Sequence, residues 1–199
     1  RRGLLAFAIF SSMLPLLLGS LWPGLARGES TLTIESPRLD HDQEAKLYRY
    51  TDARLTLDDL TVTAALLVYD ANLGIVTGTG DVRVQQNSMF AEAQVVRLDV
   101  NTRVLELEKA HIYESERGFY LDAETVTFPE LGRFEAKDCV LTTCTPREPA
   151  WTISASSLNY RQDSFAIAQN PILRLGPAPV FWVPFVSWPT VDERQSGVL

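Results

Sequence analysis

Two cysteines, two histidines and a scatter of carboxylates are the side chains from which this 199-residue chain could build a reactive centre. His41 sits in a polar stretch, Asp40-His41-Asp42-Gln43-Glu44. A loop of that kind would hold a cation weakly, and it reads more simply as a solvated loop. His111 falls in an apolar strand, with no partner at the spacing of a ligand set or a catalytic triad. The acidic pairs Asp58-Asp59, Glu106/Glu108 and Asp192-Glu193 lie in turns or on an exposed strand face, and none is singled out as an acid and a base. Serine and threonine are plentiful without a nucleophile-elbow motif. No catalytic residue, no metal site and no cofactor is expected, and the chain reads as a non-enzyme.

Cys139 and Cys144 are the remaining candidates. On one continuous strand their odd separation puts them on opposite faces. A mutual disulfide would therefore need a turn through Leu141-Thr142-Thr143. So short a loop stabilises little, whereas a bridge to a distant cysteine would close a long loop and lock two domains together. Both pairings stay open on spacing alone.

The start of the chain reads as an export signal over residues 1–26. Arg1-Arg2 precede the apolar run Leu4 to Leu18, and Gly24-Leu25-Ala26 offers a cleavage site. An uncleaved anchor helix is the alternative, weakened by Pro15, Pro23 and Gly24. Export places the two cysteines in an oxidising compartment, the periplasm if the source is Gram-negative. The whole chain carries a net charge of −7, and the leader holds two of its basic residues, so the remainder is more acidic still. Without a basic stripe interleaved with aromatics, nucleic acid is not an expected partner.

From Leu32 onward the hydrophobic period is two. Leu60, Val62, Ala64, Leu66 and Val68 alternate with Thr61, Thr63, Ala65, Leu67 and Tyr69; Phe119, Leu121 and Ala123 alternate with Tyr120, Asp122 and Glu124. Turn residues separate such runs at Asp70-Ala71-Asn72-Leu73-Gly74, Gly78-Thr79-Gly80-Asp81, Asp99-Val100-Asn101-Thr102, Ser115-Glu116-Arg117-Gly118 and Pro129-Glu130-Leu131-Gly132. Strands are expected over Leu60–Val68, Val95–Val100, Val104–Ile112 and Phe119–Phe128, in an all-β sandwich, barrel or solenoid. The runs also repeat: Ala64, Ala93 and Ala123 stand 29 and 30 residues apart, with shorter echoes at Ala136 and Ala155. Such a period marks stacked units sharing one core. A recurring small residue keeps the interior open or lets facing sheets approach.

Two blocks then carry a family resemblance. The first is Val180 to Leu199, where Phe181, Trp182, Phe185 and Trp188 surround Pro184 and Pro189, ahead of Arg194-Gln195-Ser196-Gly197-Val198. The second is Cys144-Thr145-Pro146 followed by Pro149-Ala150-Trp151-Thr152-Ile153-Ser154-Ala155. Together, and in this order, they resemble the hinge and the Cys-x-Pro, Pro-x-Trp-x-Ile-x-Ala signature of the LptD family of outer-membrane lipopolysaccharide translocons, also called organic solvent tolerance proteins. The 30-residue repeat is similar to that family's OstA-like β-jellyroll, although the usual Ala-Asp pair stands here as Ala64-Ala65 and Ala93-Gln94.

The resemblance implies a twisted open β-jellyroll over residues 27–179, then over 180–199 a hinge and the truncated start of an outer-membrane β-barrel. It implies lipopolysaccharide transport and insertion at the outer membrane, with this portion in the periplasm; a soluble or anchored periplasmic bridge protein of the same jellyroll family is the alternative. The expected partners are lipopolysaccharide, a periplasmic bridge protein by β-strand pairing at Leu32–Ile34 or Leu47–Tyr50, and an outer-membrane plug lipoprotein with the full-length barrel. It further implies that Cys139 and Cys144 pair with barrel cysteines, and that Phe181, Trp182, Pro184, Phe185, Trp188 and Pro189 form a hinge or lateral gate in which the prolines hold the strand out of regular pairing. The inward residues Val62, Ala64, Leu66, Val76, Val82, Leu105, Leu107, Phe119, Leu121, Trp151 and Ile153 would line a lipid trough. By alternation alone they equally well pack the core of a closed sandwich. An exported adhesin or carbohydrate-binding β-domain is a third class, disfavoured because Trp22, Trp182 and Trp188 lie in the leader or hinge.

Overall fold

The computed structural model describes residues 32–190, so the leader and the end of the hinge, including Arg194–Val198, lie outside it. Alternating apolar and polar residues suit a pleated surface with one buried face. The expected strands form accordingly, three of them within two residues of their limits, while the one expected over Val95–Val100 begins six residues earlier, at Met89. The longest are β3 (Leu47–Leu57), β4 (Leu60–Asp70), β5 (Ile75–Gln86), β6 (Met89–Asp99), β7 (Leu105–Glu114), β8 (Phe119–Glu130), β9 (Arg133–Thr142) and β10 (Trp151–Arg161). Each pairs antiparallel with the next. Two short strands, β1 (Leu32–Glu35) and β2 (Arg38–Asp42), both lie along the outer edge of β3. At the other end β11 (Phe165–Gln169) and β12 (Ile172–Leu175) lie along β10. β13 (Ala178–Trp182) then pairs with β12, and β14 (Phe185–Pro189) with β11. The molecule is all-β: one open antiparallel sheet in nearly sequential strand order.

A single sheet with one apolar face must fold over to bury it, and the fold line is visible in every long strand. Along β4 the buried positions run Leu60, Val62, Ala64 and then Leu67, a step of three where alternation demands two. The same slip separates Leu107 from Ala110, Ala123 from Val126, Ala136 from Cys139 and Ala155 from Leu158. In β5 it is wider, with Thr79, Gly80 and Asp81 all exposed between Gly78 and Val82, so the turn expected at Gly78-Thr79-Gly80-Asp81 is instead a bend within one strand. Left-handed backbone marks the line on alternate strands, at Asp52, Asp81, Lys109 and Asp138. Here the chain bends so that its two halves enter opposed layers. The inner side of a tight bend admits only a small side chain, and Ala53, Ala64, Gly78, Ala93, Ala110, Ala123, Ala136 and Ala155 occupy it. A Cβ at Gly78 would stand 2.6 Å from Val96 Cγ1 and 2.7 Å from Leu67 Cδ2. The 30-residue alanine repeat is therefore the crease of a sheet folded back on itself.

The crease leaves one layer holding β1, residues 53–57, 60–64, 82–86, 89–93, 110–114, 119–123, 139–142 and 151–155, β12 and β13. The other holds β2, residues 47–51, 66–70, 75–79, 95–99, 105–108, 125–130, 133–137 and 157–161, β11 and β14. One continuous apolar core fills the space between them. The connecting turns lie opposite the crease, where the roll has its mouth.

Two expectations fail. Leu66 faces outward and is 38% exposed, because the slip after Ala64 turns Leu67 inward in its place. Leu47–Tyr50 is not an edge, since β3 is paired with β2 on one side and β4 on the other.

Candidate functional site

The mouth is open where β7 to β10 and β14 end. A cleft of about 400 Å³ enters between the layers there, floored by Phe119, Leu121 and Ile112 from one side and by Phe128, Phe134 and Tyr160 from the other. It adjoins a second space of about 300 Å³ bounded by Leu141, Leu158 and Trp188. Phe134 stacks on Tyr160 with ring centroids 4.9 Å apart and sits 6.0 Å from Phe128, giving the floor an aromatic wall. Phe119 and Phe128 belong to opposite halves of β8, and they meet only because that strand is creased at Ala123.

Charge is confined to the rim. Arg117 lies 5.8 Å from the Tyr160 ring centroid, a cation–π contact from the turn of one layer to the strand end of the other. Arg133 pairs with Glu130 at 3.8 Å and with Glu135 at 2.7 Å. Burial raises the pKa of the Glu114 carboxyl, but a side-chain hydrogen bond from Ser88 and the N–H groups of Arg117 and Glu116 outweigh it and leave it net lowered. Glu114 thus stays ionised and holds the β7–β8 turn in place. An apolar slot with a charged rim suits a molecule with hydrocarbon chains and a polar head. Each methylene withdrawn from water into it contributes about 0.8 kcal/mol.

Of the trough candidates, Val62, Ala64, Val76, Val82, Leu105, Leu107 and Leu121 are buried in the core and Phe119 is half-buried at the mouth. Trp151 and Ile153 are half-buried near the end of the roll, paired with Leu175 and Leu173 of β12. Sequence reasoning missed Phe128, Phe134 and Tyr160. Their signal was present, as aromatics flanking turns on the inner phase, but the slip at the crease hides that phase.

The cysteines separate sharply. Cys139 is 2% exposed on the inner face at the crease, and burial pushes its thiol up to about 11. Cys144 is half-buried in the loop after β9, its pKa held below the usual thiol value chiefly by a backbone hydrogen bond from Ala150, with Trp151 and the Thr142 side chain adding to it. The two are not bonded to each other.

The proline-aromatic segment is also revised. Pro189 sits within β14 in register with Phe165, so it does not hold that strand out of pairing. Pro184 lies between β13 and β14, and its carbonyl accepts from Asn170 N–H at 2.8 Å. Residues 180–189 continue the same sheet. Phe181, Trp182 and Phe185 project into solvent, whereas Trp188 turns inward to the mouth. His41, placed in a loop by its neighbours, lies on β2 stacked against Tyr48 at 4.2 Å, and His111 has a cross-strand partner, Asp122, at 2.7 Å. Among the described residues no cluster of three or more metal-ligating side chains forms.

No family model matches the sequence. It is similar to proteins curated as LPS-assembly protein LptD. The identity is 24% over 188 residues to that of Azoarcus sp. (strain BH72), covering 87% of this chain and 23% of that protein. It is 25% over 195 residues to that of Cupriavidus necator, covering 94% and 24%. For Xanthomonas euvesicatoria pv. vesicatoria it is 28% over 132 residues, covering 65% and 16%. The chain spans a quarter or less of the length of these relatives. Among solved structures it is similar to LptH, described as the LptA homologous periplasmic component of the lipopolysaccharide transport device of Pseudomonas aeruginosa, with a TM-score of 0.48, 16% identity and coverage of 55% of this chain and 83% of that one. The resemblance read from the Trp151 block and the hinge thus agrees with similarity along most of the chain.

Proposed function

We propose that this chain is the periplasmic, lipid-receiving part of an outer-membrane lipopolysaccharide translocon, taking acyl chains into the folded sheet and passing them toward a barrel joined through residues 180–199. The observation that carries it is the mouth: an apolar interior, continuous along the roll, that is open on one side and rimmed with charge. Similarity to proteins named LPS-assembly protein LptD supports the choice of lipid. On this reading the sheet is an open jellyroll. β1 and β2 form the edge that pairs with a periplasmic bridge protein, and the exposed Phe181, Trp182 and Phe185 face the barrel and the membrane interface, a place that suits amphipathic aromatic rings. The plug lipoprotein would engage the full-length barrel, and Cys144 rather than Cys139 would be the first to exchange with a barrel cysteine. Residues 180–199 are the joint to that barrel, with 1–26 removed on export.

A photocrosslinking amino acid placed in the full-length protein tests the central claim. Incorporated at Phe119 or Phe134, it should trap lipopolysaccharide in cells; at Leu66, on the outer face, it should not. Equal trapping at all three positions, or none at the mouth, would sink the reading.

A further inference from the structure

Part of the mouth is shut, and an ion pair spans the shut part. Asp58 lies in the β3–β4 turn, at the rim of one layer, and Arg103 in the β6–β7 turn, at the rim of the other. The Arg103 guanidinium donates to the Asp58 carboxylate across the gap. Beneath this bridge the flanking inner residues Leu57, Leu60 and Leu105 are all buried. The open cleft begins only further along, from the β5–β6 turn toward β14.

Supporting groups hold both ends. Asp59, beside Asp58, accepts from Asn87 Nδ2 at 2.8 Å and Gln86 Nε2 at 3.3 Å, tying its turn to the next turn of the same layer. The β6–β7 turn is fixed by Asp99, whose carboxylate accepts from the N–H groups of Asn101 and Thr102 and whose carbonyl accepts from Arg103 N–H at 2.7 Å. Arg103 is thereby presented on a left-handed backbone, φ 63°.

We infer that the Asp58–Arg103 pair is a latch on the mouth: closed, it confines entry of an apolar chain to the cleft that runs from the β5–β6 turn to β14, and released, it opens the apolar core beneath the β3–β4 and β6–β7 turns to the same chain. The inference rests on the proposed lipid-binding role for the identity of what enters, but the latch itself is a property of the two rims. Its strength suits a latch and not a structural clamp. Both side chains are roughly half exposed, and pairs of this kind are weak and screened by salt.

The test compares wild type with Asp58→Arg, with Arg103→Asp and with the swapped double variant, each checked for an unchanged far-UV spectrum. Two readouts are followed. One is the rate at which the apolar dye N-phenyl-1-naphthylamine enters, seen as a fluorescence rise. The other is thiol labelling of Leu60→Cys in a Cys139→Ala, Cys144→Ser background, with hydrogen exchange of the β7 segment beginning at Leu105 as a check that needs no added cysteine. Each single reversal should speed labelling and exchange about three- to fivefold, the change a weak pair of this class can impose. The double variant should restore wild-type rates, and 1 M salt should speed the wild type but not the reversals. Labelling and exchange unchanged by either reversal would overturn the latch. Faster labelling with no dye entry in any variant would leave the latch standing and overturn the lipid-binding reading instead.

Discussion

At the scale of single residues, the crease dictates what is tolerated. Gly78 faces the interior with Val96 and Leu67 inside contact distance of any added Cβ. Gly78→Ala should therefore cost about 1–3 kcal/mol, the usual penalty for overpacking, read from the urea midpoint. Cys139 makes a second prediction, about pH. Its thiol ionises near 11 when folded against 9.0 for an unburied thiol, so the unfolded chain loses the proton first. The stability it contributes is complete below about pH 9 and falls as pH rises toward 11, by up to about 2–3 kcal/mol. Cys139→Ala should flatten that part of the stability–pH curve; an identical slope in the variant would show that other groups are responsible. In the native state at neutral pH a maleimide should modify Cys144 and leave Cys139 untouched.

At the scale of elements, alternation marked most of the long strands, because a half-buried strand needs only a period of two, but β2 read as a polar loop and the glycines of β5 as a turn. The crease was not legible in the same way. Its alanine repeat could be seen, but that repeat means a bend only once Ala64 and Leu67 are found on one face with Leu66 outside. The paired rings of the mouth, and the cross-strand contact of His111 with Asp122, depend on register across strands that local sequence does not encode. The bend itself can be tested at Lys109, which holds φ at 50° on β7. A β-branched side chain is poorly accommodated there, so Lys109→Val should destabilise by about 1–3 kcal/mol, while Lys109→Gly should be neutral or mildly stabilising. Equal effects of the two would mean that the left-handed backbone is not what bends the strand.

At the scale of the whole molecule, a rolled sheet that does not close keeps two edges, and they differ. The β13–β14 edge carries Pro179 and Pro189 within its strands, whereas β1 and β2 carry none within theirs; each edge has one proline between its strands, Pro184 and Pro37. Proline lacks the donor that strand pairing needs, so natural sheets use it to blunt an edge. That asymmetry gives the roll a direction: β1–β2 is the edge prepared to receive another strand, and β13–β14 is protected against pairing until its own continuation is in place. In concentrated solution the chain should therefore self-associate through β1–β2 and stop at dimers, as judged by light scattering. Successive N–H groups along a strand point to opposite edges, so proline placed at Thr33 and, separately, at Ile34 distinguishes the two sides of β1. One substitution should abolish dimers with the fold intact, and the other should loosen β1 from β3. Replacing Pro179 and Pro189 together by alanine should unblock the second edge and allow growth beyond the dimer. If association is indifferent to proline in β1 and the double alanine variant stays the same size as wild type, the edges do not govern assembly, and contacts of the exposed Phe181, Trp182 and Phe185 become the better account.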